Sequence, residues 1–243
     1  IYENKSTIKK LLFKYLTFLG LRYSDIYTVT SNCDKQFLIK NFSNKFSSKI
    51  KIRPNWVNIQ DIALDKLNYT KNSKKIVSVG RIEKQKNYEL IIRALEKTDY
   101  ELDIYGEGSL KHSLSQLAEN LNVKVNFFGI VSNEELYIKL KGYRYYISSS
   151  IYEGNPKSVL EAMSAGCLVI ASNIKNHLEF LTDQNSILFE NNIKFLQDVL
   201  LSLEKNEENN VKLIINAQKT INEKYLLKKL VENELRDIKS LIT

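Results

Sequence analysis

Short apolar runs alternate with segments of helical periodicity along most of the chain. Residues 75–80 (KIVSVG) are strand-like, whereas 87–97 (NYELIIRALEK) repeats its apolar positions every three to four residues. Six such alternations predict strands at 75–80, 101–106, 123–129, 143–150, 167–172 and 186–189, and helices at 87–97, 109–121, 132–142, 156–165, 175–181 and 193–205. This pattern is typical of the doubly wound α/β class, a parallel sheet with helices on both faces.

The first 53 residues repeat the alternation in a shorter form. They predict a helix at 6–21, a strand at 25–31, a helix at 33–42 and a strand at 49–53. Because two strands do not make a sheet core, this part is expected to be an incomplete α/β piece. The predicted parts are therefore that piece (1–53), a polar linker (54–74), a doubly wound domain (75–224) and a C-terminal helix (225–243).

Composition narrows the class of protein. The chain has 243 residues, 43% hydrophobic and 26% charged, which is usual for a globular protein. Its net charge of +8 comes mainly from lysine spread along the chain, without a zinc-ligand spacing or an RNA-binding signature, so we expect no nucleic-acid partner. The helix at 6–21 carries Lys9, Lys10 and Lys14, which leaves a peripheral membrane contact open beside the alternative of a solvated helix face.

The cysteines and histidines predict no metal site. Cys33 and Cys167 are far apart and are expected to be reduced thiols in a cytoplasmic protein. His112 and His177 have no partner at ligand spacing, so each is expected to lie at the surface or to have its hydrogen bonds satisfied.

The stretch SIYEGNPKSVLEAMSAG, residues 150–166, holds the chain's most informative motif. Asn155 is a preferred helix N-cap and Pro156 a preferred first helical residue, so we predict a helix that starts at Pro156. Gly166 is expected to end it. Glu153 then lies at the carboxyl end of a strand and Glu161 between one and two turns into the helix.

Helical spacing divides the side chains of this helix. Val159, Leu160 and Met163 are expected to face the core, and the opposite face to carry Lys157, Ser158, Glu161 and Ser164. Both glutamates should therefore face the crevice above the strand ends, where open α/β sheets bind ligands.

Two positive elements are predicted to flank that crevice. The first is the set of unpaired backbone amides at the start of the helix, around residues 157–159. The second is the loop VGRIEKQKN, in which Gly80 ends a strand, Arg81 follows and Lys86 opens the next helix. A guanidinium and an ammonium suit a diphosphate.

These motifs together resemble a known family. The order VGR…QKN, YGEGSL, FFGIVSNEEL, then Glu-Gly-Asn-Pro with a second Glu eight residues on and AMSAG, is similar to the retaining nucleotide-sugar glycosyltransferases of family 4. The resemblance covers about residues 23–243 and implies the GT-B fold, two facing Rossmann-like domains. It makes residues 75–224 the donor-binding domain and 1–53 a remnant of the acceptor-side domain, on which helix 225–243 packs back.

The resemblance also implies roles for individual residues. The predicted catalytic group consists of Glu153 beside the transferred sugar and the diphosphate-binding residues Arg81 and Lys86. Glu161 matches the glutamate that accepts hydrogen bonds from the ribose hydroxyls. The other predicted substrate-binding residues are Gly80 in the diphosphate loop, Ile130 and Val131 at the base, Gly154, Asn155, Pro156 and Lys157 at the sugar, and Ser158 and Val159 at a phosphate.

The segment RPNWVN departs from the interdomain Pro-Asn-Gly-Val-Asp of the family, with Trp56 for glycine and Asn58 for aspartate. This difference is expected to affect the linker and to leave the donor site untouched. No Asp-x-Asp motif occurs, so no metal or other cofactor is predicted.

The expected function is transfer of a hexose, with retention, from a nucleotide sugar to a glycan or lipid-linked acceptor in cell-surface polysaccharide synthesis. The family's acceptor pocket belongs to the part of the N-terminal domain that precedes Ile1, so the chain is expected to be a fragment that is inactive alone. The alternative is a non-catalytic subunit that binds a nucleotide sugar or a partner. The expected location is the cytoplasm, including the inner face of the membrane.

Overall fold

The computed structural model describes residues 7–58 and 72–240, and the chain divides into two compact units. The N-terminal unit consists of Ile1–Pro54 together with Glu232–Thr243. The sheet unit consists of Asn55–Val231.

The N-terminal unit contains two helices and two short strands in its described residues before Pro54. They are α1 (Thr7–Tyr23), β1 (Tyr27–Val29), α2 (Asn32–Asn41) and β2 (Ile50–Ile52). The two strands pair in parallel, and their small core comprises Leu21, Leu38, Phe46 and Ile50. All four predicted elements are present, with both strands shorter than expected.

The sheet unit begins with β3 (Asn72–Val79), which starts inside the segment predicted as linker. The other strands are β4 (Glu101–Tyr105), β5 (Val125–Gly129), β6 (Tyr143–Ser148), β7 (Leu168–Ser172) and β8 (Ile187–Phe189). Its helices are α3 (Tyr88–Leu95), α4 (Lys111–Asn120), α5 (Asn133–Leu140), α6 (Lys157–Ser164), α7 (Ile193–Ser202) and α8 (Glu207–Lys224). The last helix, α9 (Leu227–Lys239), continues into the N-terminal unit.

Two helix predictions need correction. The helix predicted at 175–181 is a single 3-10 turn, His177–Glu179, because the His177 ring bonds back to the Ser172 carbonyl and the chain turns again at Thr182. Helix α8 was not predicted, since its first turn, EENN, is polar on every side.

The six strands of the sheet unit are all parallel, in the order β5-β4-β3-β6-β7-β8. This is the 3-2-1-4-5-6 order of dinucleotide-binding folds, and it confirms the predicted doubly wound class. The direction of winding reverses between β3 and β6. A crevice is therefore expected beyond the carboxyl ends of these two neighbouring strands.

Both faces of the sheet are buried. Alternate strand residues enter opposite cores, as Ile76 and Tyr145 do on one face and Val77 and Tyr146 on the other. Helices α3, α4 and α7 cover the first face, and α5 and α6 the second. Because the sheet is rigidly packed on both sides, the loops at its carboxyl end rest on a fixed base.

Within the N-terminal unit, the end of α9 is tied to the end of β2. Arg53 forms ion pairs with Glu234 and Asp237, which lie one helical turn apart. The neighbouring guanidinium lowers the pKa of Asp237 from its usual value.

Candidate functional site

The loops that follow β3 and β6 bring Lys86 and Glu153 into contact. Lys86 Nζ lies 2.6 Å from Glu153 Oε1, and Ser150 Oγ donates to the same oxygen at 2.6 Å. The ion pair is largely buried, with 15% of the lysine side chain and 9% of the glutamate side chain exposed. Lys86 and Glu153, predicted separately for diphosphate and sugar, therefore form one charged pair at the point where the winding reverses.

Glycine at position 80 makes room for this lysine. A Cβ on Gly80 would lie 2.6 Å from Lys86 Cε. The φ of +153° at this position is also one that residues with a side chain rarely adopt. Ser149 Oγ is within hydrogen-bonding distance of the Lys86 carbonyl (2.8 Å). The predicted substrate-binding Gly80 thus acts here by letting the Lys86 stem pass.

Arg81 stands apart from this buried pair. Its side chain is exposed, and Nη2 donates to Gln85 Oε1 at 3.2 Å. The other end of the Gln85 amide donates to the Tyr152 carbonyl at 2.8 Å and lies 3.5 Å from Glu153 Oε2. Gln85, which sequence reasoning missed, therefore joins the Arg81 loop to the Glu153 loop.

The start of α6 differs from its prediction. Pro156 is the N-cap residue and Lys157 the first helical residue, one position later than expected. The Asn155 side chain does not cap the helix, because its Oδ1 accepts from the backbone N–H of Asn55 at 2.8 Å. The C-terminal prediction is confirmed: Gly166 follows the last turn with a φ of +73°.

The turn before α6 leaves several backbone amides open. Within the described part of the chain, the N–H groups of Gly154, Asn155, Lys157 and Ser158 donate to no acceptor. The Val159 N–H is already bonded to the Pro156 carbonyl at 3.2 Å, and Pro156 has no N–H. The predicted phosphate-binding amides are thus reduced to Ser158, with Lys157 beside it.

Glu161 lines a different part of the site. Its side chain is 11% exposed and borders a cavity of about 330 Å³, whose other lining residues are Trp56, Val57, Asn58, Asn133, Glu134, Tyr137 and Lys157. Burial raises the pKa of the Glu161 carboxyl, and Lys157, 3.5 Å away, opposes that rise. A carboxylate with two acceptor oxygens at the wall of such a cavity is suited to a vicinal diol.

Trp56, whose substitution was expected to affect only the linker, lies beside the candidate site. It lines the same cavity as Glu161, and Lys157 Nζ lies 5.3 Å from the centre of its ring. Lys157 is therefore placed between an aromatic face and a carboxylate. Ser164, predicted on the crevice face, is instead buried, and its carbonyl accepts from Gln218.

Two further predicted positions behave differently from each other. Ile130 is 81% exposed just beyond β5, whereas Val131 is partly buried against the core under α5 and α6. Their predicted contact with a base remains a prediction.

His177 is buried, so the expected surface position is wrong, and the alternative of satisfied hydrogen bonds holds for only one ring nitrogen in the part of the chain that the structure describes. Its Nδ1 lies 2.7 Å from the Ser172 carbonyl, which can only accept, so Nδ1 carries the proton. Nε2 has no hydrogen-bond partner among the described residues. Burial lowers the pKa of this imidazole, which favours its neutral form.

The comparisons with known proteins bear on the family and the fold of the chain. The family model described as Glycosyl transferases group 1 matches residues 60–220. The chain belongs to this family. A group 1 relative from Campylobacter jejuni, an N-acetylgalactosaminyltransferase acting on N-acetylgalactosamine-N,N'-diacetylbacillosaminyl-diphospho-undecaprenol, is 31% identical over 71% of this chain and 48% of its own length.

A second relative is a poly(ribitol-phosphate) alpha-N-acetylglucosaminyltransferase from Staphylococcus aureus, 32% identical over 67% of this chain and 35% of its own length. The chain thus spans about half or less of the length of these group 1 relatives.

Solved structures support the fold. TarM from S. aureus, in a crystal structure with UDP, has a TM-score of 0.81 at 24% identity and covers 96% of this chain and 48% of its own. Sucrose-phosphate synthase from Thermosynechococcus elongatus also has a TM-score of 0.81, at 16% identity over 99% of this chain. At these identities the likeness shows the fold alone, and that fold is the predicted GT-B class.

Proposed function

We propose that this chain carries the donor-binding half of a glycosyltransferase that moves a hexose from a nucleotide sugar to a glycan or lipid-linked acceptor, with retention. The observation that carries the proposal is the Lys86–Glu153 pair beside the open amides of residues 154–158, with the Glu161 cavity eight residues further on. Along this single turn and helix, Glu153 would then accept from sugar hydroxyls, the open amides would donate to a diphosphate, and Glu161 would accept from the ribose.

The hard step in such a transfer is departure of the diphosphate, which gains negative charge as the bond to the sugar breaks. Arg81 is exposed and always charged, and Lys86 retains N–H donors beyond the one directed at Glu153. Together with the amides of Lys157 and Ser158 they would stabilise that charge in the transition state. These groups supply the positive charge from the protein itself, so the proposal includes no metal ion.

The names of the relatives narrow the choice of donor. Both relatives described above, and a further one from C. jejuni, transfer N-acetylhexosamines, and a relative from Streptococcus gordonii uses UDP-N-acetylglucosamine. We therefore propose UDP-N-acetylglucosamine or UDP-N-acetylgalactosamine as the donor class. Because the first relative acts on an undecaprenol-linked glycan, a lipid-linked or polymeric glycan is proposed as the acceptor.

Calorimetry with UDP, both UDP-N-acetylhexosamines and uridine tests this proposal. Arg81→Ala should weaken UDP binding by about 1.5–3 kcal/mol, the scale of a charge-assisted hydrogen bond, and leave uridine binding unchanged. Lys84→Ala, an exposed lysine on the same loop, is the matched control. Equal losses for UDP and uridine would remove Arg81 from the phosphate site, and binding of sugar nucleotide without transfer to any acceptor would favour the non-catalytic subunit.

A peripheral membrane contact, on the cytoplasmic face, is also proposed for α1. The helix exposes an apolar stripe at helical spacing (Ile8, Leu11, Leu12, Tyr15 and Leu16) next to three lysines (Lys9, Lys10 and Lys14). Among the helices that the structure describes, none is long and apolar enough to cross a bilayer. Sedimentation with phosphatidylcholine vesicles, with and without phosphatidylglycerol, should show binding that needs the anionic lipid and is lost in Leu12→Asp.

A further inference from the structure

The turn that links Glu153 to α6 is held by side-chain amides from three separate segments. Gln85 Nε2 donates to the Tyr152 carbonyl at 2.8 Å. Asn176 Nδ2, from the segment after β7, donates to the Gly154 carbonyl at 3.0 Å. Asn55 Nδ2, from the segment before β3, donates to the Asn155 carbonyl.

These bonds fix the direction of the neighbouring N–H groups. None of the described peptide bonds is cis, and in a trans peptide the carbonyl of one residue and the N–H of the next point in opposite directions. When Asn176 holds the Gly154 carbonyl, the Asn155 N–H is therefore turned away from Asn176. In the same way, Gln85 on the Tyr152 carbonyl orients the Glu153 N–H.

Protein amides occupy three carbonyls of the turn, whereas two of its N–H groups have no acceptor in the described part of the chain. The carbonyls of Tyr152, Gly154 and Asn155 are engaged by protein amides. The N–H groups of Gly154 and Asn155, in contrast, have no acceptor within residues 7–58 and 72–240. These two donors suit ligand atoms that accept, such as hydroxyl and phosphate oxygens.

We propose that Asn176 and Asn55 are positioning residues for the donor sugar. They act through the turn. Asn176 holds the Gly154 carbonyl and so directs the Asn155 N–H at a sugar hydroxyl, whereas Asn55 holds the Asn155 carbonyl, whose peptide partner Pro156 has no N–H, and so fixes the course of the turn itself. This role rests on the proposed function. It concerns the sugar and not the nucleotide, because the bonded carbonyls belong to residues 152, 154 and 155, whereas Glu161 and Arg81, which are proposed to bind the nucleotide, are not part of that turn.

Two changes at position 176 separate the hydrogen bond from the shape of the side chain. Asn176→Ala removes the amide, and Asn176→Asp keeps its shape but replaces the donor with an acceptor. Both should weaken binding of UDP-N-acetylglucosamine or UDP-N-acetylgalactosamine about tenfold, while the affinity for UDP stays within about twofold. Asn173→Ala, an exposed asparagine on the same segment, is the matched control.

Thermal unfolding of the variants shows whether a loss of affinity comes from a less stable fold or from a lost positioning role. Asn55→Ala repeats the binding test from the other side of the turn. Wild-type affinity for the sugar nucleotide in Asn176→Ala and Asn176→Asp would overturn the proposal, as would equal losses for UDP and the sugar nucleotide. A wild-type chain that binds neither ligand overturns the proposed function itself, and with it the sugar-positioning role. The wild-type titration therefore tells the two failures apart.

Discussion

The two glutamates of the motif lie eight residues apart and are almost equally buried, yet their surroundings differ. One carboxylate oxygen of Glu153 accepts from the Lys86 ammonium and from the Ser150 hydroxyl, both at 2.6 Å. The loop that carries Glu153 is also hydrogen-bonded to the loop that follows β3. Glu161 borders a cavity and has one looser cation, Lys157, at 3.5 Å. The charge of the first carboxylate is compensated closely by the protein itself, whereas the second has one looser cation and both of its oxygens available at the wall of a cavity.

The motif therefore contains two kinds of carboxylate, one in a close ion pair and one at the wall of a cavity. Removing the compensated one leaves a buried cation without its partner, so folding should suffer. Removing the one at the cavity wall should mainly affect binding. The four experiments below test that contrast, starting with the largest expected effect.

The first concerns stability. Glu153→Ala leaves the Lys86 ammonium, which is only 15% exposed, without its counter-ion. We expect the free energy of unfolding to fall by about 3 kcal/mol, measured by urea denaturation, against less than about 1 kcal/mol for Glu161→Ala. The double variant Lys86→Met with Glu153→Leu should recover much of the loss, because both charges are then removed together. Equal losses for the two single variants would erase the contrast.

The second concerns nucleotide affinity. Glu161→Gln keeps the shape of the side chain and exchanges one acceptor oxygen for a donor. UDP affinity should fall by about 2 kcal/mol, the scale of hydrogen bonds to a charged group, while stability stays the same or rises because a costly buried charge is gone. Calorimetry and thermal unfolding on the same preparation measure both. Unchanged UDP affinity would remove Glu161 from the ribose site.

The third concerns the wall of the cavity. Trp56→Ala removes the ring that faces Lys157, so we expect UDP affinity to fall by about 1 kcal/mol, the scale of one cation–π or aromatic contact. Phe195→Ala, an aromatic of comparable exposure on α7, is the control and should have no effect on UDP binding. If Trp56→Ala also leaves UDP binding as it was, the substitution concerns only the linker, as the sequence predicted.

The smallest effect is expected from pH. Burial raises the pKa of Glu161 above its ordinary value of 4.5, so the fold disfavours the charged form of this carboxyl relative to the unfolded chain. As pH falls through the raised pKa, the carboxyl becomes protonated and UDP affinity should decrease. The contribution of this group to the free energy of unfolding should increase over the same interval, down to its ordinary pKa. Titrations at several pH values should show both trends in the wild type and neither in Glu161→Gln.

Much of the sheet unit could be predicted from sequence because its signals are local. Strands such as 168–172 are continuous apolar runs, and helix ends carry capping residues such as Ser132, whose side chain accepts from the Glu135 N–H. Helix α8 escaped because its polar first turn hides the periodicity that follows. The predicted 175–181 helix failed because a bond from a buried ring to the Ser172 carbonyl is not visible in local spacing.

For the candidate site, sequence alone determined which residue types follow which strand: a glycine and three cations after β3, two of them the predicted Arg81 and Lys86, and two carboxylates around a Gly-Asn-Pro turn after β6. It did so because chain order alone says which loop follows which strand, and the carboxyl ends of parallel strands lie at the same edge of a sheet. Tertiary structure alone decided their partners. Lys86 meets Glu153 across 67 residues, Asn55 meets Asn155 across 100, and Trp56 comes to line the Glu161 cavity. Such contacts depend on how loops from distant segments pack on a common base, and no periodicity or capping signal encodes a distance between residues so far apart in the chain.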